Sequence, residues 1–367
     1  MDIKRRNFLK AGLAGLATAG AASTAIIPSA ANASSSKKFR WKMANAYPAG
    51  APFYSKGPGS ASYFCKRVEE LSGGRLRIKH YAAGELIPAM EGFDAVSKGT
   101  IEMNWANSYY WAGKTFAAQY FTAVPFGMNF QGTNAWLQEG GGQELWDEVY
   151  KPFNVMGLAA GNTGVQMTGW FNKEINSVKD LKGLRMRIPG LAGKVYEQLG
   201  VSVKLLPGGE IFPALERGVI DAAEFVGPYQ DRRLGLQKAA KYYYTTGWSE
   251  PSNTTECLIN KDAWDTLPED LQAIVQAVAA ECNLMSHSWS EGNNAEALDD
   301  LVTNQGVEVR TLPDSVVAKL KETTFKTFDT YTEKDPLVKK VHESYFAFKA
   351  KHDAWQARSE AVVMTKL

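Results

Sequence analysis

Leu184-Arg185-Met186-Arg187-Ile188 alternates apolar and basic residues, which puts Leu, Met and Ile on one face of a strand and both arginines on the other. An arginine held on a rigid strand can grip a carboxylate with two parallel hydrogen bonds. Pro189-Gly190 ends that strand and favours a place for Arg187 at the mouth of a cleft. The alternative is a pair of solvated arginines on an exposed face. Asn162-Thr163-Gly164-Val165-Gln166-Met167-Thr168-Gly169-Trp170 mixes amide, hydroxyl and small residues, which suits a polar cleft wall better than a core. Gln166 is the largest polar group at its centre; a buried amide tying two strands together is the other use of such a residue. Glu224, in Ala222-Ala223-Glu224-Phe225-Val226, stands among apolar residues and needs a partner: an arginine, backbone amides or a metal ion. Glu250 offers a second carboxylate in the turn-rich Gly247-Trp248-Ser249-Glu250-Pro251. Two carboxylates, an amide oxygen and backbone carbonyls are the donors a hard cation takes. Tyr109-Tyr110-Trp111 and the aromatic run 242–248 suit either a ligand pocket or core packing. No nucleophile has an adjacent base, and no HExxH, Walker sequence or strand-following GxGxxG occurs.

The elements that must position these groups read as an α/β chain. Residues 39–46, 75–81 and 101–107 read as strands, with helices predicted over 53–71 and 88–98. That order indicates a largely parallel sheet. The theme returns with strands over 155–160, 164–171, 184–188, 203–206 and 220–226, and helices over 191–199 and 210–217. Residues 90–102 echo 210–221: each is a helix, a basic residue, a glycine, then x-Ile-acid opening a strand. Two lobes of similar build account for the echo. No Pro/Gly/Ser-rich linker separates the halves, so ordered strands cross between them and leave a hinge with a cleft. Ligands gather at the carboxyl ends of strands in such sheets, here 105–110 and 224–229. From about Pro268 the chain turns helical, over 269–304 and 315–367 with a break near Pro336, fit to clasp both lobes or a second subunit.

The chain has 367 residues, 45% hydrophobic and 22% charged, ordinary for a globular protein. Cys65, Cys257 and Cys282 form no close pair, which excludes a disulfide framework and a Cys-rich zinc site. Lys4-Arg5-Arg6-Asn7-Phe8-Leu9-Lys10, an Ala/Gly-rich apolar run and Ala31-Asn32-Ala33 have the layout of an export signal. The paired arginines resemble the twin-arginine consensus, with Sec export the other route. Removing residues 1–33 takes away Lys4, Arg5, Arg6 and Lys10 against Asp2, a net of +3, so the formal +2 becomes −1. Nothing then argues for nucleic acid. No later apolar run is long enough to span a membrane, so a soluble mature protein is expected.

Taken in order, Tyr81-Ala82-Ala83-Gly84-Glu85-Leu86, Gly161–Met167, Gly183-Leu184-Arg185-Met186-Arg187, Pro213–Gly218 and Glu224-Phe225-Val226-Gly227-Pro228-Tyr229 resemble the solute receptors of tripartite ATP-independent periplasmic (TRAP) transporters. The branch is the one binding 2-oxo or 2-hydroxy monocarboxylates such as pyruvate or lactate. The resemblance implies a two-lobe periplasmic binding protein fold, type II-like, with long C-terminal helices bridging the lobes. It divides the chain into a signal (1–33), mainly lobe I (34–160), mainly lobe II (161–260) and a helical segment (261–367) with a possible dimerisation helix. It maps the carboxylate-binding arginine to Arg187 and the amide shared by cation and ligand to Gln166. Glu224, the Phe225 carbonyl and Glu250 map to ligands of a sodium or calcium ion, with Phe225, Glu250 and Tyr109 also against the substrate. Some relatives carry Trp where this chain has Phe225. The implied partners are a small organic anion, the membrane permease subunits and, through the last helices, a second copy. A metal-dependent periplasmic enzyme acting on a small organic acid is the competing reading, and a pure interaction protein a third.

Overall fold

The computed structural model describes residues 37–52 and 54–366, so the expected export signal lies outside the described residues. Among the described residues eleven strands form two sheets. In chain order they are β1 (Phe39–Asn45), β2 (Leu76–Tyr81), β3 (Met103–Ala106), β4 (Val155–Asn162), β5 (Gly169–Phe171), β6 (Arg185–Arg187), β7 (Ser202–Lys204), β8 (Ala222–Ala223), β9 (Tyr242–Tyr244), β10 (Thr254–Asn260) and β11 (Glu308–Arg310). The first sheet runs β2-β1-β3-β10-β4 and the second β11-β9-β5-β8-β6-β7. β1 is parallel to β2 and β3, whereas β10 is antiparallel to both β3 and β4. A largely parallel sheet therefore describes only the outer half of lobe I. The strand that makes it mixed, β10, comes from the segment expected mainly in lobe II. Every residue of β10 is buried, as a central strand covered on both faces requires.

The internal echo is a real structural repeat. Helix Gly92–Ser97 in lobe I and helix Gly208–Glu216 in lobe II end alike. Gly99 donates to Val96 O, and Thr100 and Ile101 donate to Ala95 O; Gly218 donates to Leu215 O, and Val219 and Ile220 donate to Ala214 O. Gly99 (φ 68°) and Gly218 (φ 64°) both take the left-handed conformation that this reversal demands. Ile101 and Ile220 are then both buried as the chain turns toward its strand.

The predicted helix over 53–71 begins only at Ala61, where Ser60 caps it by accepting from Tyr63 N. Gly57 and Gly59, both at positive φ, keep the preceding residues out of the helix. Helix Glu269–Thr303, 35 residues and about 50 Å long, packs on β4 and helix Ala61–Leu71 of lobe I. Farther along it packs on helix Pro228–Leu234 of lobe II. Helices Asp314–Thr332 and Pro336–Gln356 pack on each other. The first lies on helix Gly190–Gln198 of lobe II, the second on helices Phe130–Glu139 and Gly142–Tyr150 of lobe I. The C-terminal helices thus bridge the two lobes.

Two extended segments cross between the sheets side by side. Thr163 N donates to Asn253 O (3.1 Å), Gln166 N to Glu250 O (3.0 Å) and Thr168 N to Tyr244 O (2.9 Å). The strand predicted over 164–171 is regular only at Gly169–Phe171, because its first half is this crossing.

Candidate ligand and cation site

Arg187 ends β6, and the two arginines of that strand part company. The Arg185 side chain is 45% exposed and pairs with Asp221 at 2.6 Å, while the Arg187 side chain is 1% exposed. The reason is register. Glu224 N donates to Arg187 O (3.0 Å), so the end of β6 lies beside the end of β8, under the cleft. The Arg187 guanidinium donates through Nη1 to Glu224 O (2.7 Å) and Glu224 Oε2 (3.2 Å), and through Nε to Leu206 O (3.2 Å). Its Nη2 is buried and meets no hydrogen-bond partner. The Phe225 ring sits 5.6 Å from the guanidinium carbon.

Glu224 is fully buried and only its Oε2 is engaged, by Arg187; Oε1 has no partner. Burial and the nearby Glu250 carboxylate push its pKa well above the ordinary range, against the pull of Arg187. Glu250 lies on the second crossing, buried, with Oε2 accepting from Asn253 Nδ2 at 2.5 Å. Burial raises it to about 7, while the Asn253 hydrogen bond and Arg187 hold it down. Gln166 lies on the first crossing. Its Nε2 donates to Thr163 Oγ1 (3.0 Å), and its Oε1 is buried without a partner. Met167 N donates to Val226 O (2.9 Å), so this crossing runs directly beside the Glu224–Val226 segment.

Gln166, Arg187, Glu224, Phe225 and Glu250 therefore converge. Tyr109 faces them from lobe I: its hydroxyl lies 3.3 Å from Asn253 Nδ2, and its ring packs about 3.3 Å from where a Cβ on Gly190 would stand. Two like-charged carboxylates side by side with an unpaired amide oxygen suit a hard cation. The orphaned Gln166 Oε1 and Glu224 Oε1 are acceptors of the kind such an ion would use. Among the described residues no three His, Cys, Asp or Glu side chains group as a metal site, so any cation here is held in part by amide and carbonyl oxygens.

Several wall residues escape sequence inspection. Tyr47 and Tyr54 stack at 3.7 Å, Tyr110 Oη lies 3.5 Å from Tyr47 Oη, and Asn107 joins Tyr47 to Asn253. Tyr110 is visible in the sequence as part of an aromatic cluster. The asparagines carry no local pattern; their only signal is position at the strand ends.

The sequence profile of the bacterial extracellular solute-binding proteins, family 7, matches residues 54–335. The chain is 41% identical over 358 residues to the monocarboxylate 2-oxoacid-binding periplasmic protein of a Nostoc strain, covering 98% of this chain and 97% of that one. Among solved structures it is similar to a TRAP periplasmic solute-binding protein of Pseudoalteromonas atlantica with bound sodium and pyruvate. That match has a TM-score of 0.87 and 38% identity, over 90% of this chain and 100% of that one. A TRAP solute-binding protein of Bordetella bronchiseptica, a dimer with copurified calcium and picolinate in its active site, matches with a TM-score of 0.86. It is 37% identical, over 89% of this chain and 96% of that one. With two lobes bridged by its C-terminal helices and the family's profile matched over residues 54–335, this chain belongs to the bacterial extracellular solute-binding proteins, family 7.

Proposed function

We propose that this protein is the periplasmic receptor of a TRAP transporter. It captures a small 2-oxo or 2-hydroxy monocarboxylate of the pyruvate or lactate class and delivers it to the membrane permease. The chain is a solute-binding protein and not an enzyme. The observation that carries the ligand class is Arg187: a guanidinium walled off from solvent, with Nη2 unspent, beside the unpartnered Glu224 Oε1 and Gln166 Oε1. A cationic donor in that setting calls for an anionic ligand.

Arg187 takes the ligand carboxylate. Gln166, Glu224, the Phe225 carbonyl and Glu250 hold a sodium or calcium ion. The chemistry such an ion supplies is neutralisation of the two carboxylates and a coordination point for neighbouring ligand oxygens. A carboxylate flanked by a 2-oxo or 2-hydroxy oxygen presents two such oxygens, and a plain fatty acid does not. Tyr109 and the Phe225 ring close the pocket around a short chain. The Nostoc relative and the pyruvate-bound Pseudoalteromonas protein support this ligand class. A homodimer is supported by the dimeric Bordetella neighbour and by Trp355, Val363 and Met364, apolar and exposed on the last two helices.

The test is thermal unfolding of refolded, ligand-stripped protein with pyruvate, lactate, butyrate and succinate, each with sodium, calcium or chelator. A ligand at 100 times its Kd adds about 2.7 kcal/mol, which moves the midpoint by several degrees. A shift for pyruvate and lactate that disappears with chelator in sodium-free buffer is expected. No shift with any of the four acids would overturn the ligand class.

A further inference from the structure

Beyond the residues that would touch ligand or cation, a line of buried polar side chains leads away from Glu250 into lobe I. Asn253, fully buried, donates through Nδ2 to Glu250 Oε2 (2.5 Å) and Tyr109 Oη (3.3 Å). Its Oδ1 accepts from Asn107 Nδ2 (2.7 Å), which also donates to Thr254 O (2.9 Å). Asn107 Oδ1 in turn accepts from the Tyr47 hydroxyl, whose oxygen lies 3.5 Å from Tyr110 Oη. The line follows the sheet edge. Tyr47 comes just after β1, Asn107 just after β3 and Asn253 just before β10, and these strands are neighbours with β10 reversed.

The donors and acceptors run in one direction. Asn253 presents its NH2 to Glu250 Oε2 and its oxygen to Asn107. Asn107 must then present its NH2 to Asn253 and its oxygen to Tyr47, which has to donate. The Tyr47 oxygen is left to accept from Tyr110. The links from Glu250 through Asn253 and Asn107 to Tyr47 are buried, so one broken or turned round leaves a polar group unpaired away from water.

We infer that Asn253 and Asn107 form a relay that positions the tyrosine wall of lobe I from the hinge carboxylate Glu250, so that ligand affinity depends on Asn107 although its side chain hydrogen-bonds to Tyr47, Asn253 and Thr254 and to none of Gln166, Arg187, Glu224 or Glu250. This inference rests on the proposed function for its ligand, and the relay itself is built from this chain's own contacts. Tyr109 and Tyr110 face the cluster from lobe I: both lie within electrostatic reach of Glu250 and Glu224, and Tyr110 of Arg187 as well. Asn107 and Asn253 are positioning residues.

The experiment compares wild type with Asn107→Leu and the milder Asn107→Ser, using calorimetric titration with pyruvate in calcium. Loss of one or two buried hydrogen bonds that order the wall should raise Kd about tenfold in Asn107→Leu and less in Asn107→Ser. The ligand-induced tyrosine difference absorbance should shrink in parallel. A purely structural asparagine would lower the melting midpoint yet leave Kd and that spectrum unchanged, and a folded Asn107→Leu with Kd within twofold of wild type overturns the relay. Ligand-free thermal unfolding of Asn107→Ser, Glu250→Gln and the double variant tests the relay without pyruvate. The relay requires the two midpoint shifts, whatever their sign, to be non-additive, although no hydrogen bond joins the residues directly; simple additivity overturns it. Should wild type bind no pyruvate, the ligand assignment falls and this second arm still decides the relay.

Discussion

Glu224 and Asp231 lie close together on lobe II, are both fully buried, and serve opposite ends. Asp231 is saturated. Its Oδ2 accepts from Trp170 Nε1 (2.9 Å) and Tyr243 Oη (2.8 Å), and its Oδ1 from Val226 N (3.2 Å). Those donors hold its pKa to about 6 although burial pushes it up. The two rings it binds stack at 4.0 Å across β5 and β9. Glu224 has one side-chain donor, Arg187, shared with its own carbonyl, and an oxygen left over. Burial alone therefore does not mark a site. What marks it is a buried carboxylate short of donors that also lies beside a second carboxylate, Glu250, and a guanidinium with an unspent Nη2.

The sharpest way to break the comparison is Arg187→Ala. Truncating one partner of a buried charged pair costs roughly 2–5 kcal/mol, which weakens pyruvate binding about 30-fold to several thousandfold. Calorimetric titration measures it, and an unchanged Kd would remove Arg187 from the site. Asp231→Ala should act on the frame instead. It strands an indole N–H, a phenol and a backbone N–H, and should cost roughly 3–5 kcal/mol of unfolding free energy in urea. Glu224→Gln should go the other way, raising ligand-free stability by relieving a buried charge beside Glu250 while abolishing the dependence of binding on cation. If Glu224→Gln destabilised the ligand-free protein as much as Asp231→Ala, the two carboxylates would be of one kind and the contrast would fail.

Glu256 in lobe I shows that an orphaned oxygen alone is not enough: its Oε1 is buried without a partner, as that of Glu224 is, but indole and phenol groups surround it in place of an arginine and a second carboxylate. It lies at a bulge in β10, which turns its side chain toward Trp111, and its Oε2 accepts from Trp111 Nε1 (3.0 Å). Burial raises its pKa from 4.5 to about 7, against the Trp111 hydrogen bond and the nearby Tyr150 phenol and Trp146 indole. Between those values the folded protein keeps a proton that the unfolded chain has lost. Its contribution to stability is therefore present at low pH, falls as pH rises from about 4.5 to 7, and is gone above that. The Glu256→Gln variant should lose this slope. Wild type should weaken by up to about 3 kcal/mol more than the variant between pH 4.5 and 8. Parallel stability–pH curves for the two proteins would show that Glu256 is ionised throughout.

These carboxylates also show how far the sequence could be read. Glu224 and Gln166 stood out because each interrupts an apolar or small-residue run, Arg187 by strand alternation and Glu250 by its turn-rich setting. Glu256 interrupts one in the same way, within Thr254-Thr255-Glu256-Cys257-Leu258-Ile259, and nothing local separates it from Glu224. The distinction lies in the neighbours that distant segments bring: the Trp111 indole, 145 positions away, for Glu256, and Arg187 with Glu250 for Glu224. The Asn107–Asn253 bond joins residues 146 positions apart, and amides have no periodicity to betray it. The helix–glycine–strand repeat was legible for the opposite reason. It is made of neighbours in sequence, and its left-handed glycines are required by backbone sterics alone. The placement of β10 in the first sheet was not legible, because an all-buried strand fits the middle of either sheet.

The smallest effect belongs to Arg185, two positions from Arg187 and on the same strand face. Its guanidinium donates to both Asp221 oxygens, at 2.9 and 2.6 Å, but does so in solvent. Asp221 has its pKa lowered, chiefly by that side-chain contact and against a little burial, so the pair is genuine. Exposed pairs nonetheless contribute little, because water and salt screen the attraction and two long side chains must be held still. Arg185→Ala should leave pyruvate affinity at the wild-type value and barely move the melting midpoint, with that small loss fading further in high salt. Arg187→Ala and Arg185→Ala titrated side by side thus hold residue type, strand and face constant and vary only solvent access. Equal losses of affinity would mean that the strand face, and not the buried end of it, binds the ligand.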